Sequence, residues 1–396
     1  MLILFFTVFI DLVGFGIVLP LQPFYAQKFG AAPEIITLVA ASFTLTQFMF
    51  APVWGRLSDR VGRRPVLLIT IFGTFIGYLW LALTDSLIML FVARAFGGAM
   101  AANIGVAHAY VADITSPENR SRGMGRIGAA AGLGFVAGPA IGGLLAGPDP
   151  VNPDFQLPFL AAAAFSAAAF ILSIVFLRET LDRQTRNSAA ALNGSRIAAL
   201  IDALSRPNMG VLLLLVMMTP FVFSGIETIL AIWSEHVLAW GPEQNGYMYA
   251  YMGVVAVVVQ GLLIGPLTRA FGEKRLISAG ALTVLLGALC LPWGVGYASI
   301  MGALSLIVAG VCMCGPSLSS LISQHAEIHE RGRILGVSQS SAGLGRILGP
   351  ALSGTAFAAL GANSPFYIGA IVMIAMLTLS LRITAQRPTP KSTEID

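Results

Sequence analysis

Apolar segments of membrane-spanning length follow one another along the whole chain, separated by short polar stretches. About twenty consecutive, mostly apolar residues suffice for a helix to cross the hydrocarbon core of a bilayer. Twelve segments meet that pattern: roughly residues 2–24, 35–55, 65–84, 87–112, 122–146, 157–178, 208–233, 244–268, 275–293, 298–322, 333–360 and 364–384. In lipid a helix satisfies its own backbone polar groups, so the pattern predicts an all-α polytopic membrane protein with twelve transmembrane helices. The first segment has no basic flank before it and carries Asp11, which reads as helix 1 rather than a signal peptide.

The pattern repeats. Ala131-Gly-Leu-Gly-Phe-Val-Ala-Gly-Pro-Ala-Ile-Gly-Gly143 aligns with Ala342-Gly-Leu-Gly-Arg-Ile-Leu-Gly-Pro-Ala-Leu-Ser-Gly354 at an offset of 211, with eight of thirteen positions identical. A weaker echo pairs Gly55-x-Leu57…Gly62 with Gly265-x-Leu267…Gly272 at an offset of 210. Two matches at nearly one offset predict a duplicated chain. Its expected parts are a six-helix bundle over 1–178, a linker over 179–207, a second six-helix bundle over 208–384 and a tail over 385–396. Within the linker, Ile197, Leu200, Ile201 and Leu204 suit a short amphipathic helix lying on the membrane surface. Two parallel six-helix halves fit a carrier that rocks around a central site.

Composition sharpens this picture. The chain is 56% hydrophobic and only 11% charged, with mean hydropathy +0.82. The net charge of +4 reflects membrane topology rather than nucleic-acid binding. Lys and Arg crowd the loops after helices 2, 4, 6, 8 and 10 and the tail, whereas Lys28 stands alone on the other side. The positive-inside rule puts both termini in the cytoplasm of a multi-pass protein of the cell inner (plasma) membrane, with the cytoplasmic arginines against anionic lipids. Cys290, Cys312 and Cys314 all lie in apolar segments and read as packing residues. The His-x-Glu-x-His run at 325–329 reads as a polar loop, and no metal or cofactor is expected. Neither a nucleophile–base set nor a Gly-x-x-x-x-Gly-Lys-Ser/Thr phosphate loop occurs, which argues against an enzyme or an ATP-driven pump.

The loop after helix 2 reads Gly55-Arg56-Leu57-Ser58-Asp59-Arg60-Val61-Gly62-Arg63-Arg64, followed by Pro65. Its glycines suit a tight turn, Ser58 and Asp59 suit helix caps, and Pro65 suits the first turn of the next helix. The stretch resembles the helix 2–3 loop of the major facilitator superfamily, G-x-L-x-D-R-x-G-R-R. The resemblance implies that Gly55, Asp59, Arg60, Gly62, Arg63, Arg64 and the helix-4 Asp113 form a conformational motif. It also implies an ion-pair and dipole network of Asp59, Arg60, Arg64 and Asp113, with Asp59 able to latch onto helix 11.

Gly132, Gly134, Gly138, Gly142 and Gly143 crowd helix 5 around Pro139, as close helix packing in lipid requires. The Gly138-Pro139-x-x-Gly142-Gly143 pattern resembles the helix-5 motif of the superfamily's drug antiporters. Asp11-x-x-Gly14-x-Gly16-x-x-x-Pro20-x-x-Pro23 is similar to helix 1 of the tetracycline-resistance efflux proteins, and the similarity continues through Phe50-Ala-Pro52, Arg94 and Ala112-Asp113. It covers the first half well and the second half in patches.

Charges inside a membrane are costly and point to function. Asp11 in helix 1 suits a proton or a cationic compound, and Glu227 in the outer half of helix 7 is a second candidate for proton loading, with a structural hydrogen bond as the alternative. Arg94 matches the helix-4 arginine that the resemblance links to proton coupling. On an unbroken helix, Arg94, Gly98, Ala101, Gly105 and His108 share one face. His108 therefore joins the cavity candidates, although a hydrogen-bonded core histidine is the simpler reading. Gln47, Asn103 and Gln260 complete the polar cavity set. Arg126 and Arg346, in helices 5 and 11, are read as partners for acids at the cytoplasmic face.

The tetracycline pumps carry further polar residues in helices 3, 8 and 9, where this chain has Gly77, Ala256 and Val284. These supply no hard oxygen ligand for a magnesium-bound drug. Phe221, Phe223, Ile229 and Trp233 suit either an apolar cavity wall or a lipid-facing surface. The expectation is a monomeric, proton-coupled exporter of a small amphiphilic drug or natural product. The alternative is an importer of a nutrient such as a sugar or organic acid.

Overall fold

The computed structural model describes residues 2–116, 119–149, 152–180, 207–294, 296–326 and 330–382. The amphipathic stretch expected around 197–204, the tail and three residues of the His-x-Glu-x-His run lie outside them. The helices are α1 (Leu2–Lys28), α2 (Pro33–Val61), α3 (Arg63–Ala82), α4 in two pieces (Leu87–Met100 and Ile104–Ile114), α5 (Arg120–Ala146) and α6 (Gln156–Phe176). After the linker come α7 (Pro207–Leu238) and α8, which opens as Pro242–Val258 and passes through a π turn at Val259–Leu263. The helix Ile264–Cys290 follows and breaks at Gly272, so that residues 264–271 finish α8 and residues 273–290 form α9. The series closes with α10 (Tyr297–His325), α11 (Arg331–Leu360) and α12 (Ser364–Arg382).

Among the described residues, ten helical stretches are long and apolar enough to cross a membrane. One of them, the 52-residue stretch Pro242–Trp293, is α8 and α9 taken together. The α11 helix is not among the ten, because its serines, glycines and Arg331, Arg333 and Arg346 dilute its apolar character. Splitting the first and adding the second recovers the twelve spans of the sequence.

The loop glycines behave differently from the expectation. The α2 helix runs on to Val61, so Gly55 lies inside it and makes no turn, and Ser58 bonds back to the Gly55 carbonyl at 2.8 Å instead of capping a helix start. Gly62 alone reverses the chain, at φ 115° and ψ 158°. Gly272, its counterpart in the repeat, does the same at φ 75° and ψ 160°. Both lie at positive φ, where a side chain would be strained.

The α4 helix unwinds over Ala101–Asn103. Backbone freed at membrane depth must find other partners. The Trp54 indole donates to the Ala99 carbonyl at 2.6 Å, and the Gln47 amide donates to the Ala101 carbonyl at 3.2 Å. The Asn103 amide donates to Thr70 Oγ1 at 3.1 Å. Arg94, before the break, is buried, whereas Gly105 and His108, beyond it toward the basic loops, are exposed.

Within the first six helices α1 packs on α5 and α6, α2 on α4, and α3 on α6. Within the last six α7 packs on α11 and α12, and the Ile264–Cys290 helix packs on α10 and α12. Two seams join the halves, α5 with α8 and α2 with α11. Glycine spacing builds both. On α5, Gly134, Gly138 and Gly142 face α1: a Cβ at Gly138 would stand 2.6 Å from the Val13 carbonyl oxygen, and one at Gly142 would stand 2.5 Å from that of Ile17. Gly132 and Gly143 lie about 130° around the helix and face α8, at Val257 and at Gly246. The repeat reproduces this in α11. Gly345 and Gly349 face α7, while Gly343 and Gly354 face Phe48 and Thr37 of α2.

The seams close only one end. Toward the basic loops, Gly125 and Gly128 of α5, Gly261 of α8 and Gly332 and Gly336 of α11 have no neighbouring atom within 4 Å of a Cβ position. The halves are therefore sealed at the end that holds Gly143 and Gly354 and splayed at the end that holds the Gly55–Arg64 stretch. A hydrogen bond from the Gln27 amide of α1 to the Glu235 carboxylate of α7, 2.6 Å long, also crosses the sealed end.

Candidate functional site

The first polar centre lies inside the first half. Asp11 sits on the side of α1 turned away from the α5 seam, and its Oδ1 is buried without a hydrogen-bond partner. One turn on, Phe15 packs against Phe43 of α2 with ring centroids 5.4 Å apart. The Arg94 guanidinium lies over the other part of this cluster, 4.3 Å from the Phe43 centroid. Arg94 is only 4% exposed, and its Nε has no hydrogen-bond partner. Between them stands Tyr78 of α3, whose ring is 3.0 Å from a Cβ position on Gly14 and within electrostatic range of both charges. No ion pair joins Asp11 to Arg94 among the described residues. A small cavity beside Arg94 is lined by Phe43, Thr74, Gly77, Tyr78 and Gly97.

The second centre lies in the other half. Glu227 is partly buried in α7, above Pro220 and Gly225. Its carbonyl, rather than its carboxylate, accepts a hydrogen bond from the Tyr249 hydroxyl of α8 at 2.5 Å. Gln260 occupies the π turn of α8 and donates to Cys312 Sγ of α10 at 3.3 Å. Single π turns in α-helices recur at functional sites.

Two candidates carry other work, and a third is exposed. Gln47 and Asn103 hold the α4 break together, and His108 is exposed, not a hydrogen-bonded core histidine. Ile229 and Trp233 form no cavity wall: both are fully buried, and the Trp233 indole donates to Asn363 Oδ1 at 2.9 Å while its ring packs edge-on against Phe366. Their burial inside the second half reflects the helix face they share, which twelve equally apolar segments do not reveal.

At the basic loop the hub is Arg63. It bonds Ser58 Oγ at 2.8 Å, Asp59 Oδ1 at 2.5 Å and Asp113 Oδ2 at 3.2 Å. Arg64 instead donates to the Ile174 carbonyl at 2.8 Å, and Arg60 is exposed. Asp59 pairs within its own half, and among the described residues no hydrogen bond or ion pair joins it to α11, where the two halves are splayed. Sequence reasoning missed Glu179. Its carboxylate accepts the backbone N–H groups of Arg63 and Arg64 at 2.9 and 3.3 Å, where the α3 dipole favours an anion. Thr180 adds a bond to Asp113 at 3.1 Å, so the start of the linker is docked on this network. Arg126 and Arg346 form no ion pair among the described residues. Arg346 lies halfway along α11, not at its basic-loop end.

Several known proteins resemble the chain over nearly its full length. Multidrug resistance protein 2 of Bacillus subtilis (strain 168) is 29% identical, over 96% of this chain and 94% of that protein. Tetracycline resistance protein, class C, of Escherichia coli is 31% identical, over 89% and 88%. Among solved structures, the human organic anion transporter TETRAN superposes with a TM-score of 0.72 at 25% identity, over 96% of this chain and 98% of that one. The nucleoside transporter NupG reaches a TM-score of 0.81 at 13% identity, over 97% and 99%, which speaks for the fold alone. The model of the Major Facilitator Superfamily matches residues 4–328 and 261–396, and with the duplicated glycine seams this places the chain in that family of membrane transporters, not among enzymes.

Proposed function

We propose that this protein exports small amphiphilic drugs or natural products in exchange for protons, alternating between a state open on one side of the membrane and a state open on the other. One observation carries the reading. Asp11 and Arg94 are opposite charges held inside the same half, close to Tyr78, yet left without a mutual ion pair. Such a carboxylate can take up a proton without first breaking a salt bridge. The relatives named for multidrug and tetracycline resistance support export. Gly77, Ala256 and Val284 offer no oxygen ligands, so magnesium-bound tetracycline is not the proposed cargo.

In this reading the basic loops face the cytoplasm, and the splayed state is open to it. The halves act as two bundles hinged by the linker. Asp59 and Arg63 exchange partners toward α11 when the basic end closes.

The test is transport in proteoliposomes. An imposed proton gradient should drive uphill movement of an amphiphilic probe, an uncoupler should abolish it, and Asp11→Asn should lower the gradient-driven rate at least tenfold while probe binding persists. Full uphill transport in Asp11→Asn would move the coupling proton to another group, with Glu227 next in line.

A further inference from the structure

We propose that Arg346 is an anion-recognition residue of the central cavity, and that the cargo is an amphiphilic organic anion: an apolar body bearing a carboxylate or sulfonate. That this compound is cargo rests on the export reading above; that it binds does not.

Position comes first. Arg346 is the sixteenth residue of the 30-residue helix α11, roughly 22 Å from its basic-loop end, which is mid-membrane depth. The two seam faces of α11 fix where it looks. Gly345 and Gly349 mark the α7 face, and Gly343 and Gly354 mark the α2 face. Leu344, Leu348 and Leu352, all exposed, lie in one gap between these faces and form the lipid side. Arg346 lies in the opposite gap, between α7 and α2, with Gln339 two turns below it. That gap is the inner wall of the splayed space between the halves.

The repeat provides a control. Phe135 stands at the equivalent place on α5, and its ring packs on Phe15 of α1 at 5.7 Å. The same inward position is thus filled by an aromatic ring in one half and by a guanidinium in the other.

Among the described residues the Arg346 guanidinium also has no fixed partner. Among the described residues no carboxylate pairs with it and no acid lies in electrostatic range. The side chain remains exposed. A permanent cation at this depth is costly and is tolerated where it faces a water-filled cavity. A guanidinium presents its donors in a planar fork that matches a carboxylate or sulfonate. Apolar contacts flank it. The Phe48 ring lies 2.6 Å from a Cβ position on Gly343, one turn away, and Phe221 stands on the α7 side. Arg94 cannot serve the same purpose, since it is buried and committed to Phe43.

The test uses purified full-length protein and two fluorescent probes, 1-pyrenebutyrate and its methyl ester, titrated without any gradient. Wild type should bind the acid at least tenfold more tightly than the ester. Arg346→Gln should weaken acid binding roughly 10- to 100-fold and leave ester binding within about twofold. Arg346→Lys, which keeps the charge but not the fork, should fall between, and it serves if the Gln variant does not fold. Equal affinity of wild type for acid and ester overturns the proposal, as does an acid preference that survives in both variants. An acid preference without proton-driven transport would sink the export reading and leave this one standing. Transport with no acid preference would do the reverse.

Discussion

At the scale of single residues, the loop after α2 shows how local chemistry and global state separate. Arg63 holds Asp59 and Asp113 together, and Asp59 remains 44% exposed. An ion pair that open to solvent contributes about 1 kcal/mol or less to stability. We therefore expect Asp59→Asn to insert and fold with little change in melting temperature, yet to lower transport at least tenfold, because its partner in the other state is lost. Thermal unfolding and probe efflux measured on the same preparation check this; unchanged efflux would remove Asp59 from the mechanism. The motif residues were legible through the resemblance of the loop to a family pattern, and of its two glycines only Gly62 has a local reason in the fold, its positive φ. The hub was not. Which of four neighbouring arginines reaches Asp113 depends on how α2 and α4 end in space. Glu179 was hidden because its role is set by proximity to the start of α3, 116 positions earlier in the chain.

At the scale of elements, α5 is a helix with two working faces. Gly138 belongs to the seam with α1 inside one half; Gly246 of α8 belongs to the seam between halves, where a Cβ would stand 2.6 Å from the Pro139 carbonyl oxygen. Added bulk should act differently at the two places. Gly138→Val should overpack a permanent contact and cost about 1–3 kcal/mol of stability, seen as a lower melting temperature. Gly246→Val should leave melting almost unchanged and shift the population away from the sealed state by tenfold or more, read as a longer label-to-label distance across the α5–α8 seam. Identical behaviour of the two variants would show that the seams are not distinct. Spans, repeat and glycine motif were all visible in the sequence, since periodicity and length are local properties. The α4 break was not visible. Nothing in Ala101-Ala102-Asn103 announces it, and the side chains that satisfy it include Trp54 and Gln47 from α2.

At the scale of the whole molecule, the duplication makes the two seams copies of one contact. Gly132 and Gly343, and Gly143 and Gly354, are matched pairs at the repeat offset, each facing the opposite half. The two ends of the protein are then built from different physics. The sealed end is held by close glycine packing, backbone against backbone at Gly143 and Gly246 and against the Thr37 side chain at Gly354, and among the described residues by one hydrogen bond, Gln27 to Glu235. The splayed end carries Asp59, Arg63, Asp113 and Glu179.

Dissolved salt should consequently act mainly on the basic end. Exposed charges farther apart than the Debye length, about 8 Å at physiological ionic strength, scarcely feel one another, whereas van der Waals contact between glycines is indifferent to counterions. A latch of Asp59 or Arg63 across the halves would be screened, while the seams at Gly143 and Gly354 would not. Raising potassium chloride from about 0.05 to 0.5 M should thus favour the state seen here, and distances between labels at the basic loops should lengthen on average. An equilibrium that ignores ionic strength would mean that closure at the basic end is sealed by apolar contact as well.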